Sequence, residues 1–278
     1  MNINTNKVRV AILDLYAGEA NQGMRCIRQI LSDWTKETGV KVEAEEFEVR
    51  LSHRVPDTSY DIYISSGGPG SPLESEGSEW ESHYFNLIDE LEKINQQPHS
   101  KKKHVFFICH SFQLACRHYK IGNVCRRKST AFGVFPVHMT ERGKHEPVFE
   151  GLKDPFYAVD SREFQVIEPN FVHLFNSGAD ILAIEKERPH VPYERAVMAV
   201  RFNDYFIGTQ FHPEADAEGM TVYLQRDDKK NTVIDNHGEE KWKNMIEHLN
   251  DPDKIMWTYR HVLPNFLTLA VGQQAVPH

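Results

Sequence analysis

The chain has 278 residues, 40% hydrophobic and 26% charged, a profile that belongs to a folded globular protein and excludes wholesale disorder. No apolar run approaches the ~20 residues a membrane span needs, and a formal net charge of −8 argues against nucleic acid as a partner. The opening Met1-Asn-Ile-Asn-Thr-Asn-Lys has no apolar stretch behind its charge, so the expectation is a cytoplasmic chain without a secretory leader.

Residues 8–13 (VRVAIL) make a short, nearly unbroken apolar run, the pattern of a buried parallel strand. Met24, Ile27, Leu31 and Trp34 follow at helical spacing. Residues 42–49 alternate and predict a strand nearer an edge. Residues 60–65 (YDIYIS) predict another, running into Gly67-Gly68-Pro69-Gly70. Trp80, Tyr84, Leu87, Ile88 and Leu91 mark a second helix, closed by the polar stretch 96–103, where Lys101-Lys102-Lys103 reads as a solvated loop. Residues 105–109 (VFFIC) are a further all-apolar strand. This alternation predicts an α/β fold with a mostly parallel, doubly covered sheet.

From 131 to 211 the signals are strand-rich, at 132–139, 156–159, 171–175, 181–184, 196–202 and 205–211. The stretch 215–250 is polar and charged and reads as an excursion over the surface, partly helical near 242–249. It leaves the chain directly after Glu214, so a lid or docking surface is expected there, with Trp242 and Met245 as apolar anchors. Residues 255–269 predict a terminal helix bent by Pro264. No linker divides the chain. One domain over 1–278 is expected, with an insertion at about 215–250 and a terminal helix at about 255–270.

The four cysteines, Cys26, Cys109, Cys116 and Cys125, form no CxxC pair and read as reduced thiols. Cys116 lies two helical turns beyond Cys109 and fits helix core. Cys109 differs, because a residue between strand and helix projects off the sheet edge, where the helix dipole favours thiolate. His212 and Glu214, two apart at a strand end, can share one face. The carboxylate can then hold one imidazole nitrogen while the other takes a thiol proton. The loop 66–72 (SGGPGSP) exposes N–H groups suited to a phosphate or a developing oxyanion. Taken singly, each has a plainer reading: a buried strand end, a solvent-facing turn, a glycine turn.

In sequence order, strand–GGPGSP, strand–Cys–helix and strand–QFHPE resemble the class I (triad-type) glutamine amidotransferase family over roughly residues 8–214. The resemblance implies a flavodoxin-like α/β fold, its mostly parallel sheet covered by helices on both faces, with additional antiparallel strands. It makes Cys109 the nucleophile, His212 the general base and acid, and Glu214 the residue that orients it. The backbone N–H groups of Gly68 and His110 become the oxyanion hole, and Gln113 falls at the position that helps hold substrate glutamine. Asn265-Phe266-Leu267 looks like the family's closing helix.

The implied reaction is hydrolysis of the glutamine side-chain amide through a cysteine thioester. Its ammonia would pass to a separate synthetase or acceptor protein, for which this chain has no room. A γ-glutamyl hydrolase or peptidase, a homoserine-type acyltransferase and a non-catalytic binding module stand as alternatives. Three positions depart from the family. Phe107 and Ser111 replace glycines two before and two after the cysteine, placing a ring towards the substrate side and a Cβ in a strained turn. Ser161-Arg162 stands where the family has a serine-histidine pair. His110 and His118 are expected as surface histidines, His110 serving only through its backbone. With neither HExxH nor GxxxxGK[ST], no metal and no cofactor are expected.

Overall fold

The structure, a computed structural model, describes residues 7–188, 194–225 and 254–274, with part of the stretch between 226 and 251. Strands β1 (Val8–Asp14), β3 (Ile62–Ser65), β4 (His104–Ile108) and β9 (Phe206–Thr209) lie parallel and adjacent, with β2 (Val42–Glu48) outside β1. Beyond β9 the sheet continues through β8 (Val197–Arg201), β7 (Asp180–Glu185), β5 (Asn123–Met139) and β6 (Phe156–Ile167), each antiparallel to its neighbour. This is an α/β fold, a mixed sheet with a parallel core and antiparallel strands.

The apolar runs alternate between two cores. Val10 and Ile12 of β1 and Phe106 and Ile108 of β4 meet α1 (Gly23–Thr38) and the terminal helix α6 (Ile255–Gln274) on one face. Ala11, Leu13, Val105 and Phe107 meet α2 (Glu79–Gln96) and α3 (His110–His118) on the other. Both faces of the parallel strands are therefore dry, which is why these segments read as continuous apolar runs rather than alternating ones. β2, with an outer edge to cover, carries Glu43, Glu45 and Glu46 exposed, charges that discourage pairing with another chain. The helix α6 runs past Pro264, and Thr268 Oγ1 accepts from Trp34 Nε1 of α1 at 3.0 Å.

Several expectations are corrected. Residues 171–175, read as a strand, lie in helix α4 (Phe171–Ser177), because Asn170 Oδ1 accepts from His173 N at 3.1 Å and Gly178 closes the helix in the left-handed region at φ 74°. Lys103 is no solvated loop residue, since it is buried with Nζ donating to Tyr60 O at 2.8 Å. The polar stretch after Glu214 opens with α5 (Ala217–Gln225), whose Met220 is buried against Val159 and Ile255, and Trp242 packs against the same cluster. Met245 lies outside the described residues.

Candidate active site

The site is assembled at the carboxyl ends of the parallel strands, where open α/β sheets expose their loops. β1 delivers Leu15 and Tyr16, β3 delivers Gly67 and Gly68, β4 delivers Cys109, and β9 delivers His212 and Glu214. Tyr16, Gly68, Cys109, His212 and Glu214 line a cavity of about 850 Å³, together with Gln113, the β5 segment around Ser129 and the root of α5 at Asp216 and Met220.

Cys109 stands between β4 and α3 at φ 49°, ψ −98°, a conformation a residue with a Cβ rarely holds unless its surroundings impose it. Its N–H donates to Thr209 O of β9 at 2.8 Å and its carbonyl accepts from Gln113 N of α3 at 3.0 Å, so both neighbours pin the turn. The side chain of Ser111 completes the brace: Oγ accepts from Ile108 N at 2.8 Å and donates to Ser65 O at 2.8 Å. The hydroxyl thus supplies bonds that a glycine at this position would lack. The second departure is also harmless to the cavity. Phe107 points into the core, edge-on to Phe202 and Phe206, away from the substrate side. Its partner across the strand pair is Gly208, and a Cβ there would come within 3.0 Å of Phe107 Cβ and Phe112 Cδ2.

His212 Nδ1 and Glu214 Oε1 lie 2.8 Å apart, and His212 N donates to Val159 O at 2.8 Å. Burial disfavours charge on the His212 ring, but the Glu214 carboxylate and the Cys109 sulfur outweigh it, holding the imidazole pKa well above its ordinary value. The Cys109 thiol donates to Ser161 O at 3.7 Å and accepts from Gln210 Nε2 at 3.7 Å. Gln210 Oε1 in turn accepts from Gln113 Nε2 at 3.1 Å, and Gln113 Nε2 also donates to Phe164 O at 3.2 Å. Gln113 therefore lies in the cavity wall with its amide nitrogen engaged. Arg162, where the family has histidine, is buried on paired bonds from Nε to Asp160 at 2.9 and 3.0 Å.

Among the described residues no acceptor pairs with the backbone N–H of Gly68 or of His110. Both belong to residues of the cavity lining, and Gly68 is there because a Cβ would sit 2.4 Å from Leu15 O. The His110 ring is not at the surface: it is buried, with Nε2 unpartnered, and burial followed by the charges of Arg50 and Arg117 pushes its pKa down to about 3. His118 behaves more nearly as expected, half-buried, bonded to Asp89 at 2.8 Å and stacked on Phe85.

Sequence reasoning passed over Tyr16, Gln210 and the root of α5. Tyr16 lines the cavity, and burial followed by the charges of Glu214 and Cys109 pushes its phenol far above its ordinary pKa. The root of α5 is tied down by Asp216, whose Oδ1 accepts from Arg25 Nη2 at 2.6 Å and from Gly219 N at 2.7 Å. Gln210 was within reach, since it is the first letter of QFHPE. Among the described residues no three His, Cys, Asp or Glu side chains gather as metal ligands, and no helix is long and apolar enough to cross a membrane.

Similar folds are found among solved structures. A glutamine amidotransferase from Thermotoga maritima superposes with a TM-score of 0.64 at 16% identity, covering 95% of this chain and 98% of its own. A glutamine amido transferase from Methylobacillus flagellatus gives 0.61 at 14% identity, with 95% and 94% covered. The glutaminase domain of Trypanosoma brucei CTPS, solved with bound acivicin, gives 0.57 at 15% identity, with 95% and 94% covered. No curated protein matches the sequence. At these identities the likeness speaks for the fold alone. The sequence adds the rest: the family model described as glutamine amidotransferase class-I matches residues 25–229, so the chain belongs to the class I glutamine amidotransferase family.

Proposed function

We propose that the protein hydrolyses the side-chain amide of glutamine through a thioester on Cys109 and passes the ammonia to a separate acceptor protein. In this reading Cys109 gives its proton to His212, its sulfur attacks the amide carbon as the thiolate, and the carbonyl oxygen becomes an oxyanion against the N–H groups of Gly68 and His110. His212 gives its proton to the departing nitrogen, and ammonia leaves. A water, losing its proton to the same ring, then cleaves the thioester to glutamate. Glu214 holds the ring in the orientation both steps need.

The observation that carries the reading is the strained Cys109 turn, at φ 49°, held beside a histidine whose other edge is 2.8 Å from a buried carboxylate. The Glu214 carboxylate and the Cys109 sulfur both favour a proton on that ring, which suits it to take the thiol's proton. What supports an acceptor is one structural relative, the glutaminase domain of a CTPS; that the acceptor is a separate protein is part of the proposal. The test is direct: incubation with glutamine followed by measurement of glutamate and ammonia, and mass mapping after acivicin. Equal glutamate and ammonia, loss of both in Cys109→Ala, and acivicin attached at Cys109 are expected. His212→Ala should lower kcat by about 10²–10⁴-fold. Attachment elsewhere, or turnover that survives Cys109→Ala, overturns the reading.

A second reading has one observation in its favour. The cavity of about 850 Å³ is at the upper end of the ~300–1,000 Å³ that hold drug-sized ligands, well beyond what glutamine fills. A γ-glutamyl amide carrying a larger group on its nitrogen would use the same triad without delivering ammonia. Relative kcat/KM on glutamine and a γ-glutamyl dipeptide separates the two.

A further inference from the structure

Arg50 is an odd residue to find half-buried behind the glycine loop. Its Nη1 donates to Pro69 O at 2.7 Å and to Leu15 O at 3.2 Å, and its guanidinium lies 5.5 Å from the Trp80 ring centre. Among the described residues it forms no ion pair. No carboxylate touches the guanidinium, although Glu19 and Glu48 lie near enough to favour its charge, and a purely structural tie between two carbonyls needs no charge. Leu15 O is also the atom against which Gly68 packs so closely that no Cβ fits. One guanidinium therefore holds the strand exit and the loop to each other beside Gly68, a residue of the cavity lining.

Its charge reaches the other side of the same spot. Arg50 is among the groups that disfavour a proton on the His110 ring, and burial lowers the pKa of Arg50 itself without depriving it of charge at neutral pH. Gly68 and His110 thus line the cavity with N–H groups that have no acceptor among the described residues, and the Arg50 cation is tied to the loop between them. Preorganised donors and charge aimed at the place where negative charge develops are worth far more in a closed site than in water.

We propose that Arg50 is a positioning residue of the oxyanion hole, which fixes the Gly67–Gly70 loop through Leu15 and Pro69 and favours the oxyanion by its charge. The proposal rests on the glutaminase reading for its chemistry, but not for its geometry, and the experiment keeps the two apart. Arg50→Lys, Arg50→Met and a control at an exposed arginine, Arg28→Met, are compared with the unaltered protein by thermal unfolding, amide exchange and glutamine hydrolysis. In Arg50→Met the amides of Leu15 and Ser66, which donate to Ser66 Oγ at 2.9 Å and to Leu13 O at 3.0 Å at the root of the loop, should exchange faster while the β4 and β9 amides do not change. Its kcat should fall by about 10²-fold with KM altered less than about threefold, the pattern of an interaction made only in the transition state. Arg50→Lys, which keeps the charge, should recover about tenfold of that loss. Alkylation of Cys109 by iodoacetamide, a reaction with no oxyanion, should keep its rate.

Unchanged loop exchange in a folded Arg50→Met overturns the positioning role, whatever the substrate proves to be. Loop exchange that rises while kcat is unchanged, or a kcat loss matched by slower Cys109 alkylation, overturns the oxyanion assignment. If the unaltered protein fails to hydrolyse glutamine, the glutaminase reading falls, and the exchange comparison still decides Arg50.

Discussion

Cys26 and Cys116 are buried in helices, and burial pushes the first up to about 12 and the second well above its ordinary range. Cys125 is half-buried on β5; Cys26 and Cys109 both line the cavity, but only Cys109 is among the groups that raise the pKa of His212. Limiting iodoacetamide at neutral pH should therefore label Cys109 first, with Cys125 second; peptide mapping showing Cys26 or Cys116 ahead of it contradicts the assignment. The charge on His212 can be tested separately. Burial opposes it and Glu214 supports it, so Glu214→Gln, which keeps the shape but removes the charge, should lower the ring's pKa. The alkaline limb of kcat/KM, where His212 loses the proton it must give, should move to lower pH; an unmoved limb would separate Glu214 from the ring's titration. Cys109, His212 and Glu214 were legible because each sits in a short motif at a strand end. Tyr16 and Arg50 were not, because what brings them to the site is the approach of one chain segment to another, which no local pattern in the sequence carries.

At the scale of elements, the sequence announced the buried strands and misread α4. Phe171, Val172 and Phe175 have the aromatic and branched side chains of a strand, yet they are 69%, 74% and 88% exposed on a helix. The deciding signals were the flanking Asn170 and Gly178, which cap its two ends, and not the apolar residues between them. The packing of Phe107 against Gly208 is a subtler case. Phe107 fills the space opposite Gly208, so Gly208→Ala should force Phe107 and Phe112 apart and cost about 1–3 kcal/mol of stability in urea unfolding. Combined with Phe107→Leu, which shortens the ring that collides, the loss should be smaller than the sum of the single losses. Strict additivity would mean that the two positions do not share the space the structure assigns to them.

The whole molecule joins a parallel half, legible as apolar runs, to an antiparallel half whose order across the sheet, β9-β8-β7-β5-β6, no local pattern reveals. The same parallel half also carries a pH liability. His104 opens β4 and His110 follows its end, both buried; burial pushes them down to about 4 and about 3. Unfolding returns each to an ordinary value near ~6.5, so between that value and the folded ones the unfolded chain binds more protons than the native one. Stability from these neutral rings is full above about pH 6.5 and drains as the pH falls, at a limiting slope of about 1.4 kcal/mol per pH unit for each ring. His212 acts with the opposite sign. Its pKa is raised, so its contribution is complete below ~6.5 and fades only as the pH climbs through the raised value. It therefore leaves the acid slope to the other two. Urea unfolding at pH 7, 6 and 5 should show stability falling towards pH 5. His104→Phe keeps the ring contacts with Tyr205 and Phe266 and removes one titrating group, so it should halve that slope. A slope unchanged by His104→Phe would place the acid sensitivity elsewhere in the chain.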